Sequence, residues 1–195
     1  MTRRLTPGRR IPARTLTAVA GGEIRLPDPD GLLHLQFRRF AGCPICNLHL
    51  RSVVRRHDEI TAAGVREVVF FHSPADELLP YAEELPFPLV ADPERRFYRE
   101  FGVEAGPRSL LDPRAWRAIL LGVVLDVVAV LRRRQRPPRL RQPAGRLGLP
   151  ADLLVAADGR VLAARYGAHA DDQWSVDELL AAVRDHRSEP AGADT

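Results

Sequence analysis

Apolar and polar positions change period in a regular order along this chain. RTLTAV and EIRL, joined across Gly21-Gly22, alternate with a period of two and predict a short β-hairpin. LLHLQF (Leu32 to Phe37) predicts a third strand that runs into Arg38-Arg39-Phe40-Ala41-Gly42. From Pro44 to Ala63 the apolar residues Leu50, Val53, Val54, Ile60 and Ala63 fall at helical spacing, and Gly64 stands where a helix stops. VREVVFF (Val65 to Phe71) is almost continuously apolar, as in a strand buried on both faces. Ser73-Pro74-Ala75-Asp76 predicts a capped helix start, PFPLVAD a short strand, and Asp92-Pro93 a second helix closed by Gly102. DLLVAA and RVLAARYG flank Asp158-Gly159 as a second hairpin, and Ser175-Val176-Asp177-Glu178 is a capping box ahead of LLAAVRDH. This order predicts an α/β fold, a central mixed sheet flanked by helices with a hairpin at its N-terminal side.

The length, 195 residues, suits one domain with a sizeable core. The expected organisation is a disordered basic arm over 1–13, a single domain over 14–187 and a disordered tail over 188–195. With 45% hydrophobic and 28% charged residues, a collagen-like, coiled-coil or wholly disordered chain is excluded. Two cysteines exclude a disulfide-stapled scaffold, and the opening MTRRLTPGRRIPARTLTAVAGG lacks the apolar stretch of a signal peptide. A cytoplasmic location is the expectation.

All 29 basic residues are arginine, and ten of them crowd into an insertion, 107–146, against only Asp112 and Asp126. With the excess confined to one segment and the N-terminus, and no interleaving of aromatic and basic residues, no nucleic-acid partner is expected. Within the insertion, Ala118 to Leu131 is apolar apart from Asp126 and too short for a span of ~20 residues. Residues 116–136, with Trp116 before the apolar run and Arg132-Arg133-Arg134-Gln135-Arg136 after it, suit either an anionic membrane surface or a helix packed on its own domain or across a homodimer.

The candidate chemistry sits at Cys43-Pro44-Ile45-Cys46, where a strand turns into a helix. Unpaired N–H groups and the dipole at a helix start stabilise a thiolate there, and Cys46 lies within disulfide reach on the same face. Arg38 or Arg39 adds positive charge, since strand alternation sends only one of them to any given face. Metal ligation by Cys43, Cys46 and His49 is the weaker alternative, as there is no second CxxC; buried filler is a third. His72, just past VREVVFF at the carboxyl edge of the sheet, is either an acid–base group beside the dithiol or a solvated loop residue. His57 is expected to pack on the first helix.

FRRFAGCPIC, VVFF, LVADPERRFYREFGV and LPADLLVAADGRVL together resemble the AhpC/TSA peroxiredoxin-like family, in its CPxC-containing branch of the thioredoxin-like superfamily. The resemblance implies a thioredoxin-like fold and a thiol-dependent antioxidant oxidoreductase. Cys43 is then the nucleophile and Cys46 the resolving thiol, with no cofactor beyond an external dithiol reductant, either thioredoxin-like or a low-molecular-weight thiol. It places Pro150 at a substrate-groove position that is a cis-proline in thioredoxin-like members, with His72 and Arg39 as further groove candidates. The chain departs from the family's Pro-x-x-x-Thr-x-x-Cys pattern: counted back from Cys43, those positions hold Gln36 and Phe40. The family's distant Arg aligns near Pro150, with Arg146 or Arg165 as spatial substitutes. The departures favour thioredoxin-type disulfide exchange, the resemblance favours reduction of hydrogen peroxide or organic hydroperoxides, and a binding module acting through 107–146 is the non-enzymatic rival.

Overall fold

The computed structural model describes residues 4–103, 112–113, 116, 120–121, 123–124 and 148–188. Strands β1 (Arg14–Thr17) and β2 (Glu23–Leu26) pair antiparallel as the expected hairpin. The main sheet contains β3 (Leu32–Phe37), β4 (Val65–Phe71), β5 (Leu89–Ala91), β6 (Ala151–Val155) and β7 (Val161–Tyr166), in the order β5-β4-β3-β6-β7. β3, β4 and β5 run parallel, and β6 and β7 add antiparallel to β3. The mixed sheet is as the pattern predicts.

Five helices with described boundaries accompany it: α1 (Pro44–Arg55), α2 (His57–Ala62), α3 (Ala75–Ala82), α4 (Arg96–Glu100) and α5 (Val176–Ser188). The single helix expected over 44–63 is therefore two, broken at Arg56, whose backbone leaves the helical range at φ −118° and ψ 20°. His57 then opens α2 and stacks obliquely on Phe87, 5.8 Å between ring centres, as the packed residue expected.

Two apolar layers cover the sheet. Leu50 and Val53 of α1, Leu78 of α3, and Leu179 and Val183 of α5 pack with Val65, Val69, Phe71 and Leu154. On the other face Ile24 and Leu26 of the hairpin, with Tyr98 of α4 and Phe101 just after it, pack on Leu33, Leu35, Phe37, Val68 and Phe70. Each fully buried aliphatic or aromatic side chain contributes roughly 1.5–3 kcal/mol, so the central strands anchor the domain.

Several local expectations change. Residues 4–13 are not a free arm: Gly8 N–H donates to the Val161 carbonyl (2.9 Å), Val161 N–H to Arg9 (2.7 Å) and Ile11 N–H to Gly159 (2.9 Å), and Ile11 is buried. Ser73 does not cap α3, whose preceding residue is Pro74; its hydroxyl accepts from Ala41 N–H instead. Asp92 does open α4, accepting from the N–H groups of Arg96, Phe97 and Tyr98. The capping box is formed, with Glu178 N–H on Ser175 Oγ and Ser175 N–H on Glu178. Most of the 107–146 insertion, Arg146 included, and the 189–195 tail lie outside the described residues. Of the insertion, Trp116, Leu120, Leu121, Val123 and Val124 are helical and exposed. Among the described residues no helix is long and apolar enough to cross a membrane.

Candidate redox site

β3 ends at Phe37, and the chain must turn sharply to start α1. Gly42 makes that turn at φ 72°, a conformation L side chains rarely adopt. Cys43 follows as the N-cap, with extended backbone (φ −65°, ψ 117°), and its carbonyl accepts the first helical bond from Asn47 N–H at 2.9 Å. Pro44 takes the first helical position, where its missing N–H costs nothing. Both cysteines are free thiols and both are buried.

The two sulfurs are not equivalent. Burial alone would raise the Cys43 thiol. A hydrogen bond from Cys46, the Arg39 guanidinium, and the backbone N–H groups of Cys46 and Ile45 outweigh it and hold Cys43 at about 7. Cys46 is pushed well above the ordinary thiol range by its own burial and by the proton it shares with Cys43. The two thiols therefore ionise in order, Cys43 first, with Cys46 donating to it.

Arg38 and Arg39 part company, as strand alternation requires. Arg39, 3% exposed, stays beside Cys43 with its guanidinium over the Phe40 ring at 5.3 Å. Arg38 enters the interior between the sheet and α1, where Nη2 contacts Asp152 Oδ1 at 2.6 Å and Gln36 Oε1 at 2.6 Å. Its other neighbour there is His49 Nε2, at 3.1 Å. His49, weighed from the sequence as a third metal ligand, thus turns that nitrogen to Arg38. His34 completes the cluster, with Nε2 3.0 Å from Asp152 Oδ1 and Nδ1 2.8 Å from Glu67 Oε2, the latter off a hydrogen-bond line. Burial would lower the His34 pKa, but the carboxylates of Glu67 and Asp152 raise it to about 9, so two cations face two anions. His34, Glu67 and Asp152 were not singled out from the sequence, and Gln36 was noted only as the residue at the family pattern's proline position.

His72 is not solvated: it is 1% exposed. Its N–H donates to the Arg39 carbonyl at 3.1 Å, and its ring meets Tyr98 edge-on at 5.7 Å. The Tyr98 hydroxyl reaches the carbonyls of Arg38 and Phe70, tying α4 to the strand ends beneath the site. Pro150 lies at the same sheet end, one residue before the Ala151↔Phe37 pair, but among the described residues the one cis bond is Leu26–Pro27; Leu149–Pro150 is trans. The Pro150 ring packs against Gly167, whose N–H donates to the Pro150 carbonyl at 2.9 Å. Arg165, offered as a spatial substitute, pairs with Glu178 at 2.8 Å and belongs to the α5 surface. The structure thus brings Cys43, Cys46, Arg39 and His72 to one corner and sets Pro150 at its edge.

A mixed sheet with a CxxC at the start of the helix after its central strand defines a thioredoxin-like thiol protein. The profile of the AhpC/TSA antioxidant enzymes matches residues 52–169, more than half of the sequence, and the chain belongs to that family of thiol peroxidases and oxidoreductases. The matched span begins after both cysteines. Among solved structures, the chain is similar to the peroxidoxin BcpB of Mycobacterium tuberculosis, at 19% identity and TM-score 0.67, covering 95% of this chain and 100% of that one. It is also similar to the reduced 2-Cys peroxiredoxin of Plasmodium vivax, at 14% identity and TM-score 0.65, over 94% and 82% of the two chains. A putative thiol:disulfide interchange protein DsbE from Chlorobium tepidum follows the same fold at 17% identity and TM-score 0.57, over 92% and 99%. No curated protein sequence matches the chain.

Proposed function

We propose that this protein reduces hydroperoxides through the Cys43–Cys46 pair. The carrying observation is the place of Cys43, the N-cap of α1 with Cys46 and buried Arg39 beside it, which lowers its thiol to about 7 while burial raises that of Cys46. The Cys43 thiolate attacks the terminal oxygen of ROOH. An S–O bond forms as the O–O bond breaks, and the departing RO⁻ takes a proton from water to leave as ROH. Cys46 then attacks the Cys43 sulfenic acid, forming the disulfide and releasing water. An external dithiol, a thioredoxin-like protein or a low-molecular-weight thiol in a reducing cytoplasm, returns both thiols by exchange and is itself oxidised.

A second reading, disulfide exchange, is favoured by Phe40, which stands where the family pattern has a hydroxyl. There Cys43 attacks a substrate disulfide sulfur and Cys46 releases the mixed disulfide, with the same balance of two electrons.

The test is consumption of hydrogen peroxide and cumene hydroperoxide with dithiothreitol by wild type, Cys43→Ser and Cys46→Ser. The expected result is turnover in wild type, none in Cys43→Ser, and a single oxidation stalled at sulfenic acid in Cys46→Ser. Wild type that consumes neither hydroperoxide, yet reduces insulin disulfides, would replace this reading with the second.

A further inference from the structure

The ladder between β3 and β4 slips where it reaches the dithiol. The Phe37↔Phe70 register sets Arg38 opposite Phe71, and Arg38 N–H donates to the Phe70 carbonyl at 2.8 Å. A regular parallel ladder would then return a bond from His72 N–H to the Arg38 carbonyl. His72 N–H goes one residue further instead, to the Arg39 carbonyl at 3.1 Å. The Arg38 carbonyl is left over in the interior, where a residue 0% exposed has no water to turn to, and the Tyr98 hydroxyl takes it. A buried carbonyl without a donor is costly, so the slip depends on this bond.

Tyr98 is braced for the contact. It is 3% exposed, and its hydroxyl also lies 2.8 Å from the Phe70 carbonyl, with one proton to share between two acceptors. Burial, the Asp92 carboxylate and Cys46 push its ionisation well above the ordinary tyrosine range, so it keeps that proton. The ring stands edge-on to Phe37 at 5.2 Å and to His72 at 5.7 Å. Its backbone is tied as well: Tyr98 N–H donates to Asp92 at 3.2 Å, and the Tyr98 carbonyl accepts from Val103 N–H at 2.8 Å.

What the slip places is Arg39. The Arg38 carbonyl and the Arg39 nitrogen share one planar peptide, so holding that carbonyl sets the direction in which the Arg39 side chain leaves the backbone. The chain beyond it is pinned by His72 N–H on the Arg39 carbonyl and by Ala41 N–H on Ser73 Oγ at 3.0 Å. Arg39 is 3% exposed, and its guanidinium draws the Cys43 thiol down.

We propose that Tyr98 is a positioning residue for the dithiol: by bonding the Arg38 carbonyl it fixes the Arg39 guanidinium beside Cys43. This rests on Cys43 as the nucleophile of the reading above, and it holds for a hydroperoxide or a disulfide alike.

The test uses the reduced full-length chain and the ultraviolet absorbance of the thiolate, which needs no reagent to reach the buried sulfurs. Tyr98→Phe removes the hydroxyl and keeps the ring. Its Cys43 titration is expected to move up by about 0.5–1 unit, part of the roughly 1–3 units that a neighbouring opposite charge supplies. In an Arg39→Met background the same substitution is expected to add nothing, the signature of two residues acting through one route. Ile24→Val, a mild loss of packing in the hairpin, reports what lowered stability alone does, and no shift is expected. An unmoved titration in Tyr98→Phe, an equal shift with Arg39 replaced, or an equal shift in Ile24→Val would overturn the assignment and leave the nucleophile in place. A first ionisation that survives in Cys43→Ser and vanishes in Cys46→Ser would overturn that nucleophile, and the assignment with it.

Discussion

Arg38 and Asp152 meet in the interior with Nη2 2.6 Å from Oδ1, both side chains wholly buried. The contact joins the end of β3 to β6, and Trp174 N–H donates to the second Asp152 oxygen at 3.1 Å, drawing in the segment before α5. A charge pair of this kind costs desolvation on both sides and is held by the bonds around it.

Removing one partner therefore leaves a buried charge without compensation. Asp152→Ala is expected to lose about 3–5 kcal/mol of stability. The loss is read as a fall in the urea midpoint.

His34 gives the network a pH signature. Its folded pKa of about 9 lies above the ~6.5 of a free imidazole, so its stabilisation is complete below ~6.5 and is lost as pH rises through about 9. Cys43, lowered to about 7, has the opposite sign: its contribution is present above ~8.5 and is lost as pH falls through about 7. In a Cys43→Ser background, unfolding free energy should decline between pH 6.5 and 9. His34→Gln should flatten that decline, as followed by urea titrations at several pH values.

The Cys46 thiol supports the Cys43 thiolate by donating to it. In Cys46→Ala the Cys43 midpoint should move up from about 7, measured from the pH dependence of iodoacetamide alkylation. Arg39→Met should move it in the same direction.

Gly167 is held between two neighbours. A Cβ there would lie 2.6 Å from the Asp172 carbonyl oxygen and 2.7 Å from Pro150 Cγ. Gly167→Ala should cost about 1–3 kcal/mol through overpacking, seen as a lowered Tm.

The segment before β1 contributes to stability. Deleting residues 1–13 removes buried Ile11 and three backbone bonds to the second hairpin. A loss of about 2 kcal/mol or more is expected in chemical denaturation.

Periodicity made most of the architecture legible. The hairpins, the buried strand at Val65–Phe71, the Asp92 helix start and the Ser175 capping box each form where local pattern and tertiary need agree. The dithiol was legible because a strand pattern gives way to a helical one there and Pro44 suits the first helical turn. LLHLQF, running into Arg38, was read as a strand, and Arg38 as a charge offered to the dithiol. Its polar row of His34, Gln36 and Arg38 is the pattern of a half-exposed strand, yet all three are buried. Their partners Glu67 and Asp152 come from β4 and β6, and no local pattern announces that pairing. The choice at His72 between a group beside the dithiol and a solvated loop residue stayed open for the same reason: a loop residue's burial depends on distant chain, here Gly148 and Tyr98.

The order of synthesis adds a consequence to the Arg38–Asp152 pair. The two residues are 114 positions apart, and β6 is the strand that closes the sheet beside β3. While the chain is still on the ribosome, β3, α1 and both cysteines emerge long before Asp152, so Arg38 and His34 wait without the carboxylate that completes their set. Contacts of such sequence separation form slowly. Through that interval the two thiols are open to oxidants and to partners that the finished fold shuts out. Until Asp152 arrives the dithiol lacks the finished site that lowers Cys43, so the nascent chain carries two ordinary thiols, near the ~8.5 of an unperturbed cysteine, and the residues between Cys46 and Asp152 set how long it does so.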